Sequence, residues 1–131
     1  AQSIDDCNNL QNIQSMEITP DGHMWILDVG RKYFSDPVVE ADNSCPPKLW
    51  IYDMNTNTVE HVYVFPNDIA NHNNSFLNDI VVDTVNLVAY ISDLLGSTDN
   101  VGGIVVYDYK NGVSNRFSDP VMRYDAYPSE T

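Results

Sequence analysis

The sequence predicts an all-β fold made of about two four-stranded blades of a β-propeller, and three observations carry that reading. Asn and Asp number 15 each, while eight Tyr and many Val and Ile complete the chain. Asn and Asp compete with helical backbone bonding and favour turns, whereas Tyr, Val and Ile suit a pleated surface. Apolar residues also recur in short runs with alternating character, each closed by turn chemistry. Finally, the runs repeat: MWILD at 24–28 is echoed by AYISD at 89–93, and KLWIYDM at 48–54 by GIVVYDY at 103–109.

The first unit occupies residues 13–65. Strands are expected at 13–19 and 23–29, joined by Pro20-Asp21-Gly22, and at 48–54 and 60–65, joined by Asn55-Thr56-Asn57. The second unit occupies 76–117, with strands at 79–83, 88–93, 103–109 and 113–117 and turns at Thr84 to Asn86 and Lys110-Asn111-Gly112. These turns supply the positive-φ and Asx residues that tight connections need. Residues 118–131 then lead towards a next blade. Four-stranded units repeated at about 40 to 60 residues suit a propeller, which closes with about 4 to 8 blades. Two blades leave apolar flanks uncovered, so further blades, from another chain or a missing segment, are expected partners. The alternative is a compact eight-stranded sandwich closed on itself.

A chain of 131 residues with 43% hydrophobic content has room for one core. Its formal charge of −13 repels phosphate backbones and anionic lipid surfaces, which argues against nucleic-acid and membrane partners. No apolar run approaches the roughly 18 to 20 residues of a membrane helix, and Ala1-Gln2 reads as a mature start without a leader. Cys7 and Cys45 lack metal or redox spacing and are either one disulfide or two buried thiols. Together with the sequon Asn73-Asn74-Ser75, the pair favours a secreted glycoprotein.

The motifs MWILDVGR, CPPKLWIYDM, FPND, FLNDIVVD, AYISD and GGIVVYDY resemble the major royal jelly protein and insect Yellow family, in order and spacing, over nearly the whole chain. The resemblance implies the early blades of a secreted six-bladed propeller. It also implies a range of activities: binding of biogenic amines such as serotonin and dopamine in a central channel, dopachrome conversion in melanin formation, or a nutritional and assembly role. Many relatives read Cys-Asp-Arg-Leu-Trp where this chain has Asp21-Gly22-His23-Met24-Trp25, and a further family cysteine aligns with Thr84. Two partnered cysteines are thus missing together, which implies that Cys7 and Cys45 are the remaining bridge. Val29 replaces a common family Ser.

Candidate ligand contacts follow from position. Phe76, Asn78 and Asp79 open the second blade, whose first strand lines the channel of a propeller, so their polar atoms are candidates to orient a small ligand. The Asn-Asp pair also resembles the calcium motif of lactonase propellers; calcium is the one cofactor considered, and structural bonding to the adjacent turn is the plainer role. The 17-residue segment 31–47 exceeds a hairpin loop. It carries Tyr33 and Phe34, whose faces could stack on an aromatic amine, with Asp36, Glu40 or Asp42 to favour its charge. Asp28, Asp53, Asp93 and Asp108 recur at equivalent places, which suits turn capping better than catalysis. His23, His61 and His72 have no neighbour at metal-ligand spacing, and no nucleophile motif is present. The expected function is therefore binding of a small aromatic, amine or pigment ligand. The alternatives are a dopachrome-type tautomerase and a structural or storage protein.

Overall fold

The computed structural model describes residues 3–94 and 101–122. Eight strands form two antiparallel four-stranded sheets, each a simple meander. Blade 1 comprises β1 (Ile13–Ile18), β2 (His23–Asp28), β3 (Lys48–Asp53) and β4 (Thr58–Val64). Blade 2 comprises β5 (Leu77–Asp83), β6 (Val88–Asp93), β7 (Gly103–Asp108) and β8 (Val113–Phe117), followed by a single 3₁₀ turn at Pro120–Met122. The Gly102 amide donates to the Met122 carbonyl at 3.2 Å, so this turn folds back beside the start of β7. The remainder of the expected connecting segment, 123–131, lies outside the described residues.

Local chemistry explains where the strands begin. β4 starts two residues before the expected position because Asn57, at φ 55°, already completes the turn. The adjacent Asp53 carboxylate accepts from the Asn55 amide at 2.8 Å. β5 likewise starts at Leu77 rather than 79, since Leu77 pairs with Asp93 and the Asp93 carboxylate accepts from the Phe76 amide at 2.8 Å. Gly22, at φ 87°, closes the β1–β2 turn as its Pro-Asp-Gly sequence requires. The β5–β6 turn instead places Leu87 at φ 57°, an unusual conformation for an apolar side chain, held while that side chain packs on the core.

Asp53 and Asp108 cap the turn that follows their strand, the latter accepting from the Asn111 amide at 3.1 Å, whereas Asp28 and Asp93 do more than cap a local turn. Asp28 and Asp93 are buried and reach across to the chain entering the first strand of their blade. Asp28 accepts from the amides of Gln11 (2.9 Å), Asn12 (3.0 Å) and Gly30 (2.9 Å). Each is partnered by a cation, Lys48 at 3.6 Å from Asp28 and Arg116 at 2.7 Å from Asp93. Burial pushes the Lys48 ammonium below its ordinary range, against the pull of Asp28. A buried carboxylate needs such partners, and this explains why the residue recurs at the same place in both blades.

The core lies between the blades. Trp25, Leu27, Leu49 and Ile51 from blade 1 meet Ile80, Val82, Ala89, Ile91, Val105 and Tyr107 from blade 2, with Phe65, Ala70 and Leu77 closing one end. Tyr63 stacks on Tyr107 with centroids 4.4 Å apart, and Trp25 meets Tyr107 edge-on at 6.5 Å. Polar contacts fix the register: Ser15 Oγ donates to Asp79 Oδ1 at 2.8 Å, the Val82 amide to Glu17 Oε2 at 2.6 Å, and Tyr63 Oη bonds Ser114 Oγ at 2.8 Å.

Superposing the pairing registers makes Ile18 the equivalent of Val82, Trp25 of Tyr90, Trp50 of Val105 and Tyr52 of Tyr107. The faces therefore alternate in use. Val82 is 6% exposed but Ile18 56%; Trp25 is 3% exposed but Tyr90 46%. Blade 1 turns towards solvent the face that blade 2 buries, except at Trp50, which is 8% exposed, and blade 2 turns out the face that blade 1 buries. Two sheets closed over each other would bury like against like. Here a single-handed stack has two free flanks, Met16, Ile18, Val62 and Val64 on one side and Val81, Tyr90 and Phe117 on the other.

Candidate functional site

Two features gather at the end of the blades where β2 connects to β3 and β4 crosses to β5. The first is a pair of bulges. In β5, Leu77 pairs with Asp93 and Asp79 with Ser92, so Asn78 is an extra residue; in β1, Ile13 pairs with Asp28 and Ser15 with Leu27, so Gln14 is its counterpart. A bulge leaves its extra residue out of the ladder and re-aims it. Both blades thus place a carboxamide residue at the bulge of the strand nearest a propeller axis. Gln14 donates to Asn12 Oδ1 at 2.8 Å, and the half-buried Asn78 side chain makes no hydrogen bond among the described residues. Asp79 is committed elsewhere: the Ser15 hydroxyl, and then the Ile80 amide at 2.9 Å, hold its carboxyl below the usual carboxylate range.

The second feature is the long loop. Cys45 is bonded to Cys7, which ties the N-terminal segment to the loop across 38 residues of sequence. That closure contributes about 4 kcal/mol in the chain-entropy model. Lys32 and Asp42 form an isolated bridge, with Lys32 Nζ 2.7 Å from Asp42 and 3.4 Å from Asp5. The Lys32 hydrogen bond, followed by the Ser44 amide, brings the Asp42 carboxyl down to about 2. Asp36 accepts from the Val38 and Val39 amides at 2.8 and 2.9 Å, which lowers its pKa.

The structure brings Phe34 and Phe76 together, with ring centroids 4.5 Å apart. Phe34 is half exposed and Phe76 buried. The Arg31 guanidinium lies 5.6 Å over the Phe34 ring and donates to the Asn73 carbonyl of the crossover loop. Burial pushes the Arg31 pKa down, although Asp93 opposes it. Tyr33, at φ 58°, makes no ring contact among the described residues; with Phe34, Asp36, Gln11 and Lys32 it lines an open hollow of about 510 Å³. Among the described residues no group of three or more His, Cys, Asp or Glu could hold a metal ion, and no helix is long and apolar enough to cross a membrane.

The histidines are more engaged than their sequence positions suggest. His72 Nε2 lies 3.0 Å from the Phe65 carbonyl, and His61 meets Tyr109 edge-on at 5.7 Å. His23 opens β2, with Nδ1 3.1 Å from Asp21 and Nε2 2.9 Å from Glu60. Burial works against its charge, but the Asp21, Glu60 and Asp53 carboxylates outweigh it and raise the pKa above 6.5. Together with Trp25, Leu87 and Tyr109 this triad lines a cleft of about 80 Å³ at the opposite end of the seam. The sequence marked only a turn at Pro20-Asp21-Gly22 ahead of His23. Glu60 is 37 residues further on, and strand register alone joins the two.

Meandering four-stranded sheets stacked face to unlike face, with connecting loops gathered at one end, define a segment of a β-propeller. The sequence pattern of the Major royal jelly protein family matches residues 12–130, and the chain belongs to that family. It is 29% identical over 126 residues to major royal jelly protein 5 of Apis mellifera, covering 92% of this chain and 19% of that protein. It is also 29% identical over 118 residues to protein yellow of Drosophila erecta, covering 86% of this chain and 20% of the relative. Major royal jelly protein 7 of Apis mellifera is 24% identical over 121 residues. The chain thus spans about a fifth to a quarter of the length of these relatives.

Proposed function

We propose that this chain forms the early blades of a secreted, Yellow-like propeller protein that binds a small aromatic, amine or pigment ligand in a channel completed by further blades. The observation that carries the reading is the equivalent bulge in β1 and β5, which sets Gln14 and Asn78 at the strand nearest the axis in two successive blades. Carboxamides donate and accept without changing charge, so they orient a ligand rather than transform it. The acid and base candidates are tied up: Asp79 by Ser15, His72 by the Phe65 carbonyl and Asp36 by backbone amides. Phe34 and Phe76 supply aromatic surface at the same end of the blades. The disulfide suits an oxidising compartment and supports secretion.

Calorimetry on the native protein with serotonin, dopamine and histamine tests this reading. Saturable heat with an aromatic amine, weakened about tenfold by Asn78→Ala, is the expected result. No heat with any of the three, together with turnover of dopachrome, would replace binding by the tautomerase reading; neither response, with large particles in solution, would replace it by the storage reading.

A further inference from the structure

Arg31, Lys32 and Lys48 are buried basic side chains, 8%, 5% and 1% exposed. Lys32 holds Asp42 at 2.7 Å and Lys48 holds Asp28 at 3.6 Å. Arg31 has no carboxylate at ion-pairing distance among the described residues: Asp93 acts on it only from further off and is itself paired with Arg116 at 2.7 Å. The Arg31 guanidinium donates to the Asn73 carbonyl of the crossover loop, but its Nε is sealed without a hydrogen-bond partner. A buried cation that keeps its charge needs an anion or a full set of acceptors, and among the described residues this one has neither.

Phe34 covers it. The guanidinium lies 5.6 Å over the Phe34 ring, and that ring stacks on the buried Phe76 at 4.5 Å. Phe34 belongs to the long loop and is 45% exposed. It thus fills a slot walled by an aromatic ring and a guanidinium, and satisfies only the apolar wall. The Ser75 hydroxyl, next to Phe76, is likewise sealed without a partner, and the half-buried Asn78 side chain is unbonded among the described residues.

We propose that this slot takes an aromatic ligand bearing a carboxylate, with Arg31 receiving the carboxylate and Phe34 swinging out to admit the ring. The inference deepens the ligand-binding reading above and rests on it. The ligand ring stacks on Phe76 in the place of Phe34, and its carboxylate accepts from the guanidinium, whose planar fork matches two carboxylate oxygens. Phe34 leaves towards the open hollow that it already lines with Tyr33 and Asp36. Selection for an anion falls on Arg31, because the neighbouring Lys32 is already held by Asp42 and Asp5.

Calorimetry on the native protein with L-tryptophan and tryptamine tests this, since the two share an indole and an ammonium and differ only by the carboxylate. Tryptophan should bind about tenfold more tightly or better, as a charge-assisted, bidentate contact implies. Arg31→Gln keeps a donor for the Asn73 carbonyl and removes an uncompensated buried charge, so it should unfold no earlier than the parent while losing the preference for tryptophan. Phe34→Ala removes the cover at an exposed loop position and should tighten tryptophan by about threefold, the cost of displacing the ring being gone. Tryptamine bound as tightly as tryptophan would overturn the carboxylate assignment and leave the amine-binding reading standing, whereas binding of neither would overturn both. Arg31→Gln with a lower unfolding midpoint and an unchanged preference would make Arg31 structural and end the proposal. Phe34→Ala without any gain for tryptophan would overturn the admission of the ring, whether or not the Arg31 variant folds.

Discussion

Replacing Ile18 or Val82 by Ala probes two positions that the strand pairing makes equivalent but the fold uses differently. Val82 is 6% exposed and sits in the seam between the blades. Truncation there removes two carbons at about 0.8 kcal/mol each and leaves a cavity, for a total cost of about 2 to 3 kcal/mol. Ile18 loses three carbons but is 56% exposed, and its neighbours across the strand, Met24 and the adjoining Ile26, are themselves partly exposed. Its truncation should cost about 0.5 to 1 kcal/mol. Urea unfolding of the 131-residue chain, followed by tryptophan fluorescence, reads both values. In a longer form of the protein that supplies the covering blade, the Ile18→Ala cost should rise to about 3 kcal/mol while the Val82→Ala cost stays put. If Ile18→Ala already costs as much as Val82→Ala in the short chain, the flank is covered from within and the reasoning fails.

Tyr107 is fully buried, its hydroxyl has no hydrogen-bond partner, and burial pushes its pKa up to about 12. Tyr107→Phe should therefore be neutral or stabilising by up to about 1 kcal/mol in the same unfolding experiment, whereas a loss above about 1 kcal/mol would reveal a partner for the hydroxyl. His23 adds a pH dependence. Its pKa is raised in the folded state, so its contribution is complete below its ordinary value of 6.5 and is lost as pH rises through the higher folded value. Unfolding midpoints measured from pH 5 to 9 should fall across that window, and His23→Gln should flatten the fall; an unchanged slope would remove His23 from the seam's electrostatics.

The two blades were legible because strand periodicity and turn residues are local signals. MWILD and AYISD each carry their own alternation, and Pro20-Asp21-Gly22 its own turn. What escaped was set by register. The bulge that isolates Gln14 leaves no mark in IQSMEI, and the roles of Asp28 and Asp93 depend on which amide lies across the blade. Tyr33 and Phe34 are adjacent in sequence, yet only Phe34 stacks on Phe76, because Arg31 and the positive φ of Tyr33 turn the two rings apart. His23 and Glu60 illustrate the same limit, since pairing of β2 with β3 and β3 with β4 decides their meeting.

Covalent carbene footprinting, compared between the 131-residue chain and the native protein, addresses the free flanks most directly. The stacked-blade account predicts strong labelling of Met16, Ile18, Val81, Tyr90 and Phe117 in the short chain and at least fivefold protection of all five in the native protein, with Leu49 and Ile91 protected in both. Equal labelling of the five in both forms would show that nothing stacks on these faces and would contradict the account.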